Sequence, residues 1–146
     1  MDRSQGGEAM EISNGRHFTQ WAAQFAVASE LYKRGYLVSF TMGNATPEAD
    51  LMVMSPQRVS FLIDVKGQKT NSFWRIRSKG VKANLFFVLA LVPPGKPNRF
   101  FILSHDQVNR LMKAYERSGV KYDPRFSGFN PGSAVPYEDK WDALPK

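Results

Sequence analysis

Hydrophobic and polar positions along the chain change period several times, and each change marks an element. Across residues 17–34, Phe18, Trp21, Ala22, Phe25, Ser29 and Tyr32 recur at i, i+3, i+4, i+7 spacing and predict a helix with one wide face, closed by Arg34-Gly35. Tyr36–Phe40 predicts a strand, Thr41–Pro47 a polar turn around Gly43-Asn44, and Ala49–Met54 a second strand. Ser55-Pro56-Gln57 is a tight turn, so the strand that follows, Arg58–Lys66, is expected to run antiparallel to the second. Residues 67–84 carry no clear period and predict a loop with a short regular piece. Leu85–Val92 is apolar without alternation, as a strand buried on both faces would be, and Arg99–Leu103 is its expected hairpin partner. Ser104 with Gln107 forms a capping box ahead of a helix whose buried stripe is Val108, Leu111, Met112 and Tyr115.

The order of elements predicts an α/β fold, a central mixed sheet of about four or five strands with helices on its faces. Residues 1–15 are expected to form a flexible leader and 16–146 a single domain. Its irregular tail, 121–146, would be laid over the core by Phe126, Phe129, Tyr137 and Trp141.

Composition narrows the chemistry. The 146 residues include no cysteine, which removes disulfides, zinc thiolates and cysteine nucleophiles, and only two histidines, His17 and His105. No apolar run is long enough to cross a bilayer, and the acidic N-terminal stretch is unlike a secretory signal; a soluble, cytoplasmic protein with no membrane contact is the expectation. The net charge of +7 is unevenly spread. Residues 65–125 hold 13 Lys/Arg against 3 Asp/Glu, whereas the segments on either side are slightly acidic. A basic block of this kind suits a polyanion-binding face as well as it suits a solvated surface.

Acids are few in the apolar elements, and the exceptions are informative. On the third strand, side-chain parity puts Asp64 and Lys66 on one face, with Gln68 next if the strand continues. Asp50 opens the neighbouring antiparallel strand, where it can lie beside Asp64. On the first helix Glu30 is the only charged residue between His17 and Lys33. By helical angle it falls with Thr19, Ala23, Ala26 and Val27, small side chains that let a helix lie close on a sheet. A carboxylate there needs a cation or donor, which suggests a third acid aimed at Asp50 and Asp64. Two acids and a lysine on one rim are the parts that metal-assisted phosphodiester hydrolysis requires: oxygen ligands for a hard divalent cation, and an ammonium beside the attacking water.

Glu30, Pro47-Glu-Ala-Asp50 and Asp64-Val-Lys66 with Gln68 beyond resemble the motif of the PD-(D/E)xK nuclease superfamily, in its Holliday-junction-resolvase-like branch. The match departs from the family pattern in two places: Glu48-Ala49 separates Pro47 from Asp50, and the last acid is Asp where Glu is commoner. The resemblance implies a restriction-endonuclease-like core and Mg²⁺ as cofactor, with Mn²⁺ as a substitute. It implies that Asp50, Asp64 and the Val65 carbonyl bind the metal, that Lys66 positions the water, that Glu30 is the helix-borne acid and that Gln68 is accessory. The expected activity is endonucleolytic cleavage of DNA, ahead of RNA, with Lys69, Arg75, Arg77, Lys79 and Lys82 tracking the phosphates. A non-cleaving nucleic-acid-binding module of the same fold is the alternative. A homodimer is compatible with cutting two strands, though no interface is legible in the sequence.

Overall fold

The computed structural model describes residues 3–42, 49–77, 82–119 and 123–146, with side chains of the first helix from Gly15 onward. It is an α/β fold in which five strands form one mixed sheet. The elements are α1 (Arg3–Lys33), β1 (Leu37–Phe40), β2 (Leu51–Met54), β3 (Ser60–Gln68), β4 (Trp74–Arg75), β5 (Leu85–Leu91), β6 (Arg99–Ser104), α2 (His105–Glu116), β7 (Gly128–Phe129) and the short α3 (Pro131–Ala134). The sheet order is β1-β2-β3-β5-β6, and β4 pairs with β7 apart from it. Helical backbone extends back to Arg3, over residues that the sequence assigns to a leader. The Gly43-Asn44 turn, Glu48 and Lys79 lie outside the described residues.

The expected hairpins form. β1, β2 and β3 run antiparallel, with Leu51 opposite Ile63 and Val53 opposite Phe61. β5 and β6 are also antiparallel. Between them β3 and β5 are parallel, pairing Asp64 with Phe87 and Lys66 with Leu89, and residues 69–84 make the crossover that parallel neighbours require.

The sheet is buried on both sides. Ala23, Val27 and Leu31 of α1 pack on Val38, Val53, Ile63 and Val65, while Phe87, Leu89, Phe101 and Leu103 meet Val108 and Met112 of α2 on the opposite face. It is the small-residue face of α1 that docks. The approach is closest at Gly67, where a Cβ would stand 2.6 Å from that of Ala23, and a bulkier face could not come so near. The aromatic face is consequently turned outward, leaving Phe18, Phe25 and Tyr32 exposed. α1 ends as expected: Gly35 adopts φ +87° and the Tyr36 amide returns to the Leu31 carbonyl at 3.1 Å.

The capping box at α2 is present in both directions, Gln107 N–H to Ser104 Oγ and Ser104 N–H to Gln107 Oε1. In the tail Phe129 and Trp141 are buried and Tyr137 is half-buried, but Phe126 is exposed, which corrects its expected role as an anchor. Its ring lies instead under the Arg75 guanidinium, 4.5 Å from centroid to Cζ. The tail also covers the outer edge of β6, through a bridge between Phe101 and Glu138 and a hydrogen bond from Asp139 N–H to Phe100 C=O.

Candidate functional site

β3 is longer than β2, so beyond Ile63 its edge extends past its antiparallel neighbour. Asp50 N–H still donates to Ile63 C=O at 3.0 Å, but then the chain leaves the ladder, and the Ala49 carbonyl accepts from Thr41 Oγ1 instead. The Asp50 side chain takes the vacated place: its Oδ2 accepts the Val65 amide proton at 2.8 Å. This register brings Asp50 alongside Asp64. The Asp64 side chain is 3% exposed and its Oδ1 lies 3.4 Å from Lys66 Nζ, whose side chain is about a third exposed, at 31%.

The surroundings of Asp50 perturb it. Burial is the largest influence and pushes the Asp50 carboxyl up to about 6; the Val65 amide opposes it, the Asp64 charge adds to it, and Lys66 relieves part of it.

The next edge groups of β3 are met by a residue that carries no charge. Gln20 of α1 donates from Nε2 to the Val65 carbonyl at 2.8 Å and accepts from the Gly67 amide at Oε1, 3.3 Å. One side-chain amide thus stands in for the missing strand. The Val65 carbonyl keeps a second lone pair, so among the described residues Asp50, Asp64 and that carbonyl offer oxygen donors here to a cation. Among the described residues no group of three or more acidic or histidine side chains gathers.

Glu30 is not part of this cluster, which corrects its expected role as the helix-borne acid. It sits ten residues beyond Gln20, on the order of 15 Å along the axis. There it is bound to Arg34 Nη1 at 2.6 Å and Lys33 Nζ at 3.6 Å. The Arg34 hydrogen bond, with help from Lys33, holds its carboxyl below the usual range against a partial opposing effect of burial. Gln68 shares the face of Asp64 and Lys66, but its amide is engaged in the following loop, donating to Phe73 C=O at 2.8 Å and accepting from Ser72 Oγ at 3.2 Å.

A groove of about 690 Å³ opens at the C-terminal end of β3, lined by Arg16, Thr19, Gln20, Gln68, Lys69 and Thr70 and not by Asp50, Asp64 or Lys66. A second hollow of about 510 Å³ continues it past Lys69 and Thr70 to Lys96. Lys69 and Arg77 are exposed, and Lys82 is half-buried. Arg75, also exposed, donates from Nε and Nη2 to the Arg125 carbonyl at 3.1 and 2.7 Å and fastens the 3-10 turn Pro124–Phe126. Gln20, Arg16 and Lys96 join the site from outside the residues that the sequence motif marks. Gln20 lies beside Thr19 and one turn before Ala23 on the docking face, the one signal that could have singled it out.

No family model matches the chain, and no curated protein or solved structure does either. Among the described residues no helix is long and apolar enough to cross a membrane.

Proposed function

We propose that the chain is a metal-dependent endonuclease that hydrolyses DNA phosphodiester bonds on a restriction-endonuclease-like core. The observation that carries this reading is the grouping of Asp50 with Asp64 and Lys66 of the projecting end of β3, the strand whose last residue, Gln68, lines a groove with Arg16 and Lys69. The donor set fits a hard divalent cation such as Mg²⁺, or Mn²⁺ in its place: two carboxylates and a backbone carbonyl, all oxygen, with room for water and a substrate phosphate. A raised Asp50 carboxyl is what a cation-binding pair shows when its charge is uncompensated. When bound, the cation would lower the pKa of a coordinated water and offset charge on the transferring phosphoryl group.

The remaining roles fall to the chain. Asp50 and Asp64 hold the cation at the strand end. Lys66 orients the attacking water and stabilises the developing negative charge, since its ammonium is next to Asp64 and its side chain is partly open to solvent. Gln20 keeps the Val65 carbonyl directed along the sheet edge. Arg16, Lys69 and Lys96 line the path along which a polyanion would run.

The test is nicking of supercoiled plasmid in Mg²⁺ and in Mn²⁺ by the wild type, Asp64→Ala and Lys66→Ala. Cleavage is expected to fall by about 10²–10⁴-fold in the lysine variant and to be lost in the aspartate variant, both remaining folded. Unchanged cutting by both would end the proposal.

One observation favours a second reading, a nucleic-acid-binding module that does not cut: among the described residues the helix contributes a glutamine, not a third carboxylate, to this edge. Salt-sensitive DNA binding without nicking in either metal would support it.

A further inference from the structure

Alternation along β4 continues into the residues that follow it. Trp74 and Ile76 are buried while Arg75 and Arg77 are exposed, so the two arginines share the outer side of this segment, about 6.5 Å apart along it. The turn Pro124–Phe126 is tied to the same segment: Ile76 N–H donates to Ser127 C=O at 3.0 Å, and Ser127 Oγ donates to Ile76 C=O at 2.6 Å. Arg75, besides holding the Arg125 carbonyl, lays its guanidinium 4.5 Å from the Phe126 ring centroid, and the Arg125 guanidinium lies 5.9 Å from the same ring. Asp123 fixes the turn further, accepting from the Arg125 amide at 3.0 Å and from its guanidinium at 2.8 Å.

Phe126 is therefore a ring that is held in place without being buried, 52% exposed. Ordering it costs conformational entropy that a half-open ring does not recover from burial within the chain. A ring already ordered binds a partner without that cost. The surrounding charge selects the partner. Three arginines stand against one aspartate, which is itself paired with Arg125, and Arg77 has no ion pair among the described residues. A flat ring stacked with a guanidinium suits another planar π-system, and the arginines suit phosphate. A nucleic acid with unpaired bases carries both groups at short, regular intervals. In a duplex the base faces are stacked on one another and out of reach.

We propose that Phe126 and Arg75 form a platform on which an unpaired base of a single-stranded nucleic acid stacks, while Arg77 and Arg125 take the flanking phosphates. The platform deepens the nucleic-acid reading above, on which it rests, by naming a substrate with a single-stranded segment; it needs neither metal nor cleavage.

The test is binding of the full chain, in EDTA, to a labelled oligothymidine and to a duplex of equal length, followed by fluorescence anisotropy. Phe126→Ala is expected to weaken single-strand binding by about 5- to 100-fold and duplex binding by less than about twofold, with an unchanged circular-dichroism spectrum. Phe126→Leu, apolar but not flat, should lose as much, and Phe126→Trp should bind as the wild type does. Arg77→Gln should weaken the single strand and lower the slope of log affinity against log salt by about 0.7. A wild type that does not bind the single strand, a Phe126→Ala or Phe126→Leu that binds it unchanged, or an equal loss on duplex would each overturn the proposal. Equal, Phe126-dependent affinity for polyglutamate would also overturn it, in favour of an acidic peptide. Plasmid nicking is scored separately. Phe126-dependent binding without nicking in either metal leaves the platform standing and removes cleavage, whereas nicking with affinity independent of Phe126 does the reverse.

Discussion

Asp50 Oδ2 receives the Val65 amide proton at 2.8 Å, in the position that a backbone carbonyl would fill if β2 continued. The carboxylate is thus part of the sheet's hydrogen bonding as well as one of a pair of neighbouring acids. Burial and Asp64 raise it from an ordinary value of 3.8 to about 6. A raised acid favours the folded state while protonated. Its contribution is complete below the ordinary value and is lost as pH climbs through the interval up to about 6.

Asp50→Asn keeps an oxygen acceptor for Val65 and removes the charge. Without divalent metal it is expected to be more stable than the wild type at neutral pH, by on the order of 1–3 kcal/mol, with the difference vanishing only as pH falls below about 3.8. Added Mn²⁺ should raise the melting temperature of the wild type and leave that of the variant unchanged. Thermal melts across pH, with and without the metal, check both expectations.

Gln20 satisfies two groups on an otherwise open edge. Gln20→Ala should cost about 1–2 kcal/mol and speed hydrogen exchange of the Gly67 amide. Gln20→Glu should keep the Gly67 amide protected yet remain destabilised, because a carboxylate cannot donate to the Val65 carbonyl. Site-resolved hydrogen exchange together with denaturant melts separates the two variants.

Gly67 is where α1 sits closest to the sheet. A methyl group there would stand 2.6 Å from Ala23 Cβ and 3.1 Å from the Thr19 carbonyl, so the helix must lift. Gly67→Ala is expected to lose about 1–3 kcal/mol, and Ala23→Gly added to it should restore part of the loss despite its own helix cost. A double-mutant cycle by chemical denaturation measures the coupling.

Glu138 fixes the tail to β6 through two contacts of 2.8 Å with Arg99. That hydrogen bonding holds its carboxyl below the ordinary range, with a smaller opposing effect of burial. The contribution of a depressed acid is present above the ordinary carboxylate range and disappears as pH falls through the folded-state value. For so exposed a pair it is at most about 1 kcal/mol. Acidification, and Glu138→Gln at neutral pH, should speed local opening of the C-terminal segment by no more than about fivefold, because Trp141 and Leu144 keep it anchored in the core. Limited proteolysis of residues 130–146 reports it.

The sheet was largely legible because strand periods and tight turns are local signals. Ser55-Pro56-Gln57 fixes the antiparallel hairpin, and that hairpin places Asp50 opposite Asp64. Glu30 was misjudged because helical angle says which side a residue faces but not how far along the axis the site lies; Arg34, one turn on, supplies the partner its charge needs. Which face of α1 docks is decided by Gly67, far away in sequence, and the aromatic stripe has the same period whether it faces core or solvent. Gln20 escaped notice because its role is to complete a ladder, which leaves no mark in charge or hydropathy. Nothing near Arg75 in the sequence marks its partner, the Arg125 carbonyl fifty residues later.

The two margins of the sheet are unequal. β6 is sealed by residues 138 and 139, whereas β1 has no strand beyond it among the described residues. The margin at β6 is therefore closed to strand pairing from outside, and at β1 Tyr32 already takes the Val38 carbonyl, so neither side presents a full run of free backbone groups to a passing strand.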